Sequence, residues 1–389
     1  MTDTNSAEKI CTERLQELLA SAGTTAVEAP VIQPADIFLD LSGEAMRRRI
    51  FAFSDPGGDE VCLRPELTIP VCREYIARET ECAEVRYACT GPVYRYQTKQ
   101  SEKPREFVQA GVEFLGCGDN EAADADVLCL AVRALEVAQV TDYDVNMGDL
   151  ALFGALIDAL DLDPIWQNRL KREFWRPERF RALLDDVIAG KAPLASTQQA
   201  GLLSAMAGLD QTQATALIED TLELSGISPV GGRSVEEITQ RLMERAADAA
   251  AVTLPVATAQ LIADFIAIED TPDEAVKKIR ALTKSFGVSI DEAIGKMERR
   301  LKLATEKGVS FDKARFSTGF GRNMEYYTGL VFEFTQLKLG NAEALLVGGG
   351  RYDGLLEYLG APQPIPAVGC AISPRRLVMA AQASAIGGT

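Results

Sequence analysis

The sequence predicts an α+β fold in which a largely antiparallel sheet, flanked by helices, is interrupted by an inserted helical domain. Short β-rich runs separated by turn residues predict the sheet, and a change to helical periodicity between about residues 160 and 303 predicts the insertion. Strand-like runs return after Ala314, and the 389 residues exceed the ~250–300 residues of one ordinary core. We therefore predict a split domain, residues 1–160 and 306–389, around a helical domain at 161–305.

The first part of the split domain combines two helices with several strands. An amphipathic helix is expected from about Ser6 to Ala22, where Gly23 is placed to end it. A second helix, between Glu121 and Ala138, is expected to pack on the sheet. The β-rich runs are Ile50 to Phe53, Val61 to Arg64, Val85 to Tyr96, Phe107 to Leu115 and Tyr143 to Met147.

The helical domain carries two recognisable helix starts. Ser234 and Glu237 form a capping box, and the run from Thr271 to Glu274 begins another helix with a proline in its first turn. The alternative, that these helices belong to one continuous body with the sheet, remains open. The later strand-like runs are Ala314 to Thr318, Leu330 to Phe334, Ala344 to Val347 and Val368 to Ile372. A final helix is expected from about Arg375 to Ala383.

Charge and histidine content exclude several classes of function. The chain has 40 Lys and Arg against 57 Asp and Glu, a net charge of −17, which opposes binding to a polyanion such as tRNA. It contains no histidine, so a Ser-His-Asp triad, a Cys-His dyad and a His-ligated metal centre are all excluded. We therefore predict a protein with no metal site and no general affinity for nucleic acid. A local basic patch stays open as an alternative at Arg47 to Arg49 and at Lys99 to Arg105.

The cysteines and the N-terminal segment predict a reduced, cytoplasmic protein. The eight cysteines include no C-x-x-C pair, which predicts buried thiols and not zinc ligands. The polar start from Met1 to Ile10 lacks the sections of a signal peptide, and no apolar run approaches ~20 residues. No membrane association is expected.

Strand alternation places a carboxamide and a carboxylate on one surface. Gln109, Gly111 and Glu113 occupy alternate positions of one predicted strand and would project to the same face. Such a pair suits a small polar ligand that carries an ammonium group or a ring N–H. Arg95 ends the preceding strand and could bind a carboxylate or a phosphate through two N–H groups. For Arg95 alone, an ordinary surface ion pair is the competing interpretation.

A glycine-rich run from Gly348 to Gly354 lies between two predicted strands. It lacks the G-x-G-x-x-G spacing and the strand-to-helix setting of a dinucleotide fingerprint, so we reject that function. Glycines in this position would permit the backbone to approach a ligand or a neighbouring strand closely.

Four motifs of this chain occur in the order seen in histidyl-tRNA synthetases, which have a class II aminoacyl-tRNA synthetase fold. Leu63 to Thr68 (LRPELT) resembles the L-R-P-E-x-T element, and Gly91 to Glu113 resembles motif 2 of that family. Arg322 to Gly329 (RNMEYYTG) resembles the first histidine motif, R-G-L-D-Y-Y-T-G, and Gly348 to Leu355 matches the second. The resemblance spans roughly Val27 to Leu377 and implies a class II synthetase-like sheet.

The resemblance implies a binding site for free histidine, with no cofactor, no metal and no catalytic residue. Its members are Glu66, Thr68, Arg95, Gln109, Glu113, Arg322, Tyr326 and Tyr327. Within this set, Glu66, Thr68 and Gln109 are expected to meet the amino group of the ligand.

The remaining assignments concern the two other polar groups of histidine. The resemblance implies that Glu113 and Tyr327 meet the imidazole and that Arg322 meets the carboxylate. A buried acceptor at Glu113 would reject side chains that lack a ring donor, because they would leave that carboxylate unpaired.

Several departures from the synthetase pattern argue against aminoacylation. Gln97 stands where motif 2 has a carboxylate, and Val108 stands where the family has a histidine. Arg375 replaces the carboxylate of the motif 3 ending G-x-E-R-L, which reverses charge beside a phosphate site. Only 13 residues follow Arg376, whereas the synthetases continue into an anticodon-binding domain. We therefore expect no anticodon-binding domain and no tRNA partner.

A histidine pocket without tRNA equipment resembles the regulatory subunits of ATP phosphoribosyltransferase, which are synthetase paralogues. The resemblance implies a non-catalytic subunit of a glycosyltransferase complex that begins histidine biosynthesis, with histidine as the regulatory ligand. It also implies a homodimer formed through the synthetase-like core, and a hetero-octamer with a short-form catalytic subunit. The alternatives are a free-standing histidine-adenylating or ligase enzyme, and a histidine-binding module with another partner.

Overall fold

A computed structural model gives the fold of this chain. The residues that it describes are 2–41, 44–78, 83–101, 103–190, 205–206, 208–225, 235–236, 238–240, 242–243, 254–321, 326–340 and 343–386. The capping box expected at Ser234 and Glu237 lies outside these residues. None of the helices within them is both long and apolar enough to cross a bilayer.

Contacts within the chain define two compact units. The core unit consists of Met1–Ala155 and Ala267–Thr389, and the helical unit consists of Leu156–Ile266. The chain passes from the first to the second within one helix, Leu150–Ala159.

The described strands number twelve. In chain order they are β1 Thr25–Ala26, β2 Ile32–Pro34, β3 Phe51–Ser54, β4 Glu60–Leu63, β5 Val85–Tyr94, β6 Glu106–Leu115, β7 Asp144–Asp149, β8 Glu269–Asp270, β9 Ala314–Ser317, β10 Leu330–Thr335, β11 Leu345–Arg351 and β12 Ala367–Ile372. Every strand-like run expected from the sequence overlaps one of them.

The main sheet of the core unit has nine strands in the order β1-β5-β6-β12-β11-β10-β7-β9-β8. Two neighbouring pairs, β1 with β5 and β7 with β9, are parallel, and the other pairs of this sheet are antiparallel. The expected largely antiparallel sheet is therefore present, as a mixed sheet.

Two of the expected strands belong to a second, smaller sheet. β3 and β4 form a hairpin, and β4 also pairs with β2, so that the order is β2-β4-β3. The sequence pattern did not separate this sheet from the main one, because strand alternation does not identify the pairing partner.

Helices flank the main sheet and make up the described part of the helical unit. In chain order they are α1 Thr2–Ser21, α2 Ala35–Leu41, α3 Glu44–Arg47, α4 Thr68–Arg78, α5 Asn120–Val137, α6 Leu150–Ala159, α7 Pro164–Glu173, α8 Pro177–Ile188, α9 Gln211–Ser225, α10 Val256–Ile266, α11 Pro272–Ser285, α12 Asp291–Glu306, α13 Leu355–Tyr358 and α14 Pro374–Ile386. Within the helical unit, α10 packs against α8, and Met206, Ala214 and Ile218 form a buried apolar cluster.

The predicted end of the helical domain, residue 305, differs from the structure. Residues 267–305, which include α11 and most of α12, belong to the core unit. α12 packs along α5, and Arg300 on α12 forms a buried ion pair with Asp124 on α5, at 2.6 Å between Nε and Oδ2. These tertiary contacts place both helices against the sheet, and helical periodicity alone could not reveal them.

Candidate functional site

A cavity of about 230 Å³ lies against the main sheet of the core unit. Strands β6, β10, β11 and β12 contribute to its lining, together with the start of α4. Six of the eight residues expected at a histidine site line it. They are Glu66, Thr68, Arg95, Gln109, Tyr326 and Tyr327.

Glu66 lies at the N-terminus of α4 and accepts from the backbone there. The amide of Thr68 donates to Oε2 at 2.7 Å, and that of Ile69 donates to Oε1 at 2.9 Å. Burial raises the pKa of Glu66, although these two bonds act in the opposite direction. A carboxylate suits this position because the first amides of a helix lack intrahelical acceptors.

Glu113 lies deeper than the other residues of the set and does not itself line the cavity. Its Oε1 accepts from the Thr68 hydroxyl at 2.6 Å, and its Oε2 accepts from the Tyr352 hydroxyl. Burial raises the pKa of Glu113 to about 8, while the two hydroxyls lower it and the nearby Glu66 adds to the increase. Because Thr68 and Tyr352 do line the cavity, they connect Glu113 to it.

Tyr326, Tyr327 and Tyr352 form an aromatic cluster at the cavity. The centroid of the Tyr326 ring lies 4.9 Å from that of the Tyr327 ring and 5.7 Å from that of the Tyr352 ring. A Cβ at Gly350 would lie 2.9 Å from ring carbons of Tyr327, so only glycine allows this ring to rest on β11. The aromatic cluster gives the cavity an apolar wall beside polar groups.

A second glycine makes room for the buried carboxylate. Gly369 on β12 lies directly opposite Glu113 on β6. A Cβ at Gly369 would overlap Oε2 of Glu113, so the absence of a side chain there determines where the carboxylate can lie.

Of the two arginines in the predicted set, the structure describes Arg95 but not Arg322. Nε of Arg95 donates to the Pro65 carbonyl at 2.8 Å, and its guanidinium lies 5.2 Å from the ring centroid of Phe107. Arg95 thereby joins the end of β5 to the segment before α4. Arg322 lies outside the described residues, so its role stays a prediction.

The cavity lining includes two arginines that sequence reasoning did not assign to the histidine site. They are Arg49 and Arg376, and Glu343 accepts from Arg376 Nε at 2.7 Å and from Arg375 Nη1 at 3.2 Å. Burial would raise the pKa of Glu343, but the two arginines outweigh burial and lower it. The positive charge introduced by Arg375 is therefore paired with a carboxylate from a distant part of the chain.

Two further residues of the lining, Glu333 and Tyr352, also escaped prediction. Tyr352 lies within the glycine-rich second motif, which could have indicated it. Arg49 belongs to a run of three arginines that predicts a local basic patch but not a place in this site. Glu333 carries no local signal, because strand pairing alone brings it to the cavity.

The distribution of charge suits a small zwitterion. The carboxylate, hydroxyl and carboxamide groups of the lining can accept from an ammonium group or a ring N–H. The guanidinium groups of the lining can bind a carboxylate. Since an α-amino acid carries both kinds of group, the cavity is complementary to that class of ligand.

Comparisons with known proteins agree with the motifs. The family model for histidyl-tRNA synthetase matches residues 3–377 of this chain. The ATP phosphoribosyltransferase regulatory subunit of Chelativorans sp. (strain BNC1) is 37% identical over 354 residues, 91% of this chain and 92% of that protein. The chain belongs to the ATP phosphoribosyltransferase regulatory subunit family. The regulatory subunit of Sinorhizobium fredii (strain NBRC 101917 / NGR234) is 38% identical over 348 residues, 89% of this chain and 90% of that protein.

A solved structure supports the fold of this regulatory subunit family. It is an ATP phosphoribosyltransferase regulatory subunit/histidyl-tRNA synthetase from Bacillus halodurans C, with a TM-score of 0.66 and 21% identity. The match covers 97% of this chain and 79% of that chain. The class II synthetase-like fold expected from the motifs is thereby confirmed.

Proposed function

We propose that this chain is the regulatory subunit of an ATP phosphoribosyltransferase and senses free histidine for the first step of histidine biosynthesis. Its relatives carry the name of that subunit. The observation that carries the histidine assignment is Glu113, a buried carboxylate held by two hydroxyls at the base of a cavity suited to an amino acid.

In this proposal the ligand's three polar groups meet three parts of the cavity. Glu66 and Gln109 accept from the amino group, and Arg95, together with Arg322, binds the carboxylate. The imidazole contacts the hydroxyls of Thr68 and Tyr352, with Glu113 behind them. A ligand without a ring N–H would leave the hydroxyl oxygens of Thr68 and Tyr352 without a donor from the ligand. The binding of such a ligand is therefore disfavoured.

The subunit has no catalytic role of its own in this proposal and acts through a short-form catalytic subunit. The two assemble as a hetero-octamer, and the core unit forms a homodimer. The helical unit is an insertion in the synthetase-like core, and no tRNA binds. The net charge of −17 supports the last point, since tRNA affinity depends on phosphate neutralisation. The absence of an anticodon-binding domain and a cytoplasmic location stay predictions.

A histidine-adenylating enzyme is the second candidate, because Arg95 and Arg376 line the same cavity and could face phosphates. Pairing of Arg376 with Glu343 argues against it, since a carboxylate at that position repels an anionic ligand. Histidine-dependent exchange of pyrophosphate into ATP separates the two candidates. We expect no exchange, and rapid exchange would favour the enzyme.

The proposal is tested by titrating histidine into the purified protein by calorimetry. Wild type is expected to bind, and Glu113→Gln is expected to bind about tenfold more weakly or worse. The carboxamide nitrogen cannot accept from a hydroxyl, so one of the two hydrogen bonds that hold Thr68 and Tyr352 is lost. Glu106→Gln is the matched control: it changes an exposed carboxylate at the other end of β6 and is expected to bind like wild type.

Two results would reject parts of the proposal. Equal affinity in wild type and Glu113→Gln would reject the pocket assignment. No binding to wild type, together with no effect of histidine on phosphoribosyltransferase activity in the complex, would reject histidine sensing.

A further inference from the structure

Arg351 and Tyr352 are neighbours at the end of β11, yet they contact different parts of the core unit. Tyr352 lines the cavity and donates to Glu113. The guanidinium of Arg351 contacts α5, where its Nε and Nη2 lie 2.9 and 2.7 Å from Oδ1 of Asp124. Successive side chains of a strand point to opposite faces of the sheet. One backbone segment therefore places Tyr352 at the cavity and Arg351 against α5.

Asp124 connects Arg351 to a second buried arginine. Its Oδ2 accepts from Nε of Arg300 on α12 at 2.6 Å, and Nη1 of Arg300 donates to Oδ2 of Asp149 at 2.6 Å. We call Arg351, Asp124, Arg300 and Asp149 the buried charge network, since the side chain of each is at most 6% exposed. It extends from the end of β11 to the start of α6, because Oδ1 of Asp149 also accepts from the amide of Ala151 at 3.0 Å.

Arg351 also holds the segment that carries Tyr327. The amide of Thr328 donates to the Arg351 carbonyl at 2.8 Å, and the Thr328 hydroxyl accepts from the amide of Asp353 at 3.0 Å. Nη1 of Arg351 completes the arrangement by donating to Oδ1 of Asp353 at 2.8 Å. Two tyrosines of the aromatic cluster, Tyr327 and Tyr352, are thus each one residue away from a group bonded to Arg351.

The buried charge network resists being broken at a single link. Both oxygens of Asp124 are engaged by guanidinium groups, so displacing either arginine would leave a buried charge uncompensated. A shift of Tyr352 or Tyr327 is therefore more easily accommodated if α5 and α12 move with it. Packed interiors respond to small shifts in this way, by rearranging between discrete arrangements of whole elements.

We propose that the buried charge network couples the occupancy of the cavity to the α5 and α12 helices, so that a bound amino acid alters their arrangement. This inference rests on the proposed function, because it takes free histidine as the ligand. Coupling of this kind requires unequal affinity of the ligand for two arrangements of the helices.

Hydrogen exchange measured by mass spectrometry tests the coupling in the full chain, with and without saturating histidine. In wild type, histidine is expected to increase protection in α4 and β6, which contribute to the cavity, and also in α12, none of whose residues lines it. In Arg300→Met, protection of α4 and β6 by histidine is expected to persist while that of α12 decreases by about fivefold or more. Arg300→Lys, which keeps the charge but loses the paired geometry, serves if the first variant does not fold.

Arg299→Met is the matched control. Arg299 also lies on α12 and also contacts the start of α5, at 2.6 Å from Asp119 Oδ2 and 2.7 Å from Glu121 Oε2. It is exposed and outside the buried charge network, so its removal is expected to leave the effect of histidine on α12 unchanged.

The outcomes distinguish the coupling from the proposed function. Protection by histidine that is confined to the cavity in wild type, or that persists in α12 of both Arg300 variants, overturns the coupling alone. No protection anywhere, together with no heat of binding, overturns the proposed function and the coupling with it.

Discussion

Two buried carboxylates in the core unit, Glu113 and Asp124, differ in what surrounds them. Glu113 is 2% exposed and is held by the hydroxyls of Thr68 and Tyr352, whereas Asp124 is 0% exposed and is held by the guanidinium groups of Arg300 and Arg351. Burial raises the pKa of Glu113 to about 8. Around Asp124, burial disfavours the charge of Arg300, but Asp149 and Asp124 outweigh it and raise the pKa of that arginine.

The difference shows that the type of partner, more than burial, separates these two carboxylates. Guanidinium groups occupy both oxygens of Asp124, so no acceptor remains there for a ligand. Hydroxyls can serve either a protonated or an ionised carboxyl, so the protonation of Glu113 can respond to a ligand. Stability, pH dependence and hydrogen bonding each offer a way to test this contrast.

The largest expected effect is on stability, in Asp124→Asn. Among the described residues, loss of this charge leaves Arg300 paired only with Asp149 and Arg351 paired only with the partly exposed Asp353, so one buried positive charge is poorly compensated. The free energy of unfolding is expected to fall by about 3–5 kcal/mol. Urea denaturation measures it. Asp126→Asn, on the same helix, removes partly exposed ion pairs with Arg86 and Lys307 and is expected to cost about 1 kcal/mol or less. Equal losses in the two variants would contradict the contrast.

A smaller effect concerns pH. Because burial raises the pKa of Glu113 to about 8 in the folded chain, this carboxyl is expected to stay protonated there at pH values at which the unfolded chain, with a pKa near 4.5, ionises it. Since folding raises the pKa of Glu113, the protonated carboxyl contributes to the free energy of unfolding. This contribution is complete below the pKa of the unfolded chain and is lost as pH rises through the pKa of the folded chain. Between these values Glu113 is expected to lower the free energy of unfolding by about 1.4 kcal/mol per pH unit.

The measurement compares unfolding of wild type and Glu113→Gln across this range of pH. The chain has no histidine, so few other side chains titrate within it. Burial also raises the pKa of Glu66, which contributes a slope of the same sign in both proteins. Because Glu66 and Glu113 interact, the difference between the two profiles reports the loss of Glu113 together with the loss of that interaction. Parallel profiles for wild type and Glu113→Gln would contradict the assignment.

The smallest effect is expected for Thr68→Val. The Thr68 hydroxyl lowers the pKa of Glu113, so its removal is expected to move the midpoint of the pH effect upward, by on the order of half to one pH unit. Thr68→Ser keeps the hydroxyl and is expected to leave the midpoint in place. A Thr68→Val profile that coincides with wild type would show that this hydrogen bond does not affect the carboxyl.

Local patterns predicted the elements of the core unit and part of the site. Alternation along β6 placed Gln109 and Glu113 on one face, and the motifs directed attention to Glu66, Thr68 and Tyr327, which the fold brings together. Tyr352 was missed because a motif match does not reveal where a side chain points. The histidine-binding roles themselves stay predictions until a ligand is measured.

Contacts between distant residues could not be predicted. Asp124 is 176 residues from Arg300 and 227 from Arg351, and no periodic pattern links such positions. The boundary at residue 266 was missed for the same reason. α11 and α12 have the periodicity of any surface helix, and only their packing assigns them to the core unit.

Gly369 gives the cavity a stretch of wall made of main chain, and Gly350 lets the ring of Tyr327, another lining residue, rest on β11. Such a wall cannot be widened by truncating a residue, and any side chain added at either glycine would collide with Tyr327 or Glu113. Natural variation can therefore retune ligand preference only at positions that already carry a side chain. If the proposed histidine site is correct, redirecting this chain to a different amino acid would have to begin at Thr68, Tyr327 or Tyr352 and leave the glycines unchanged.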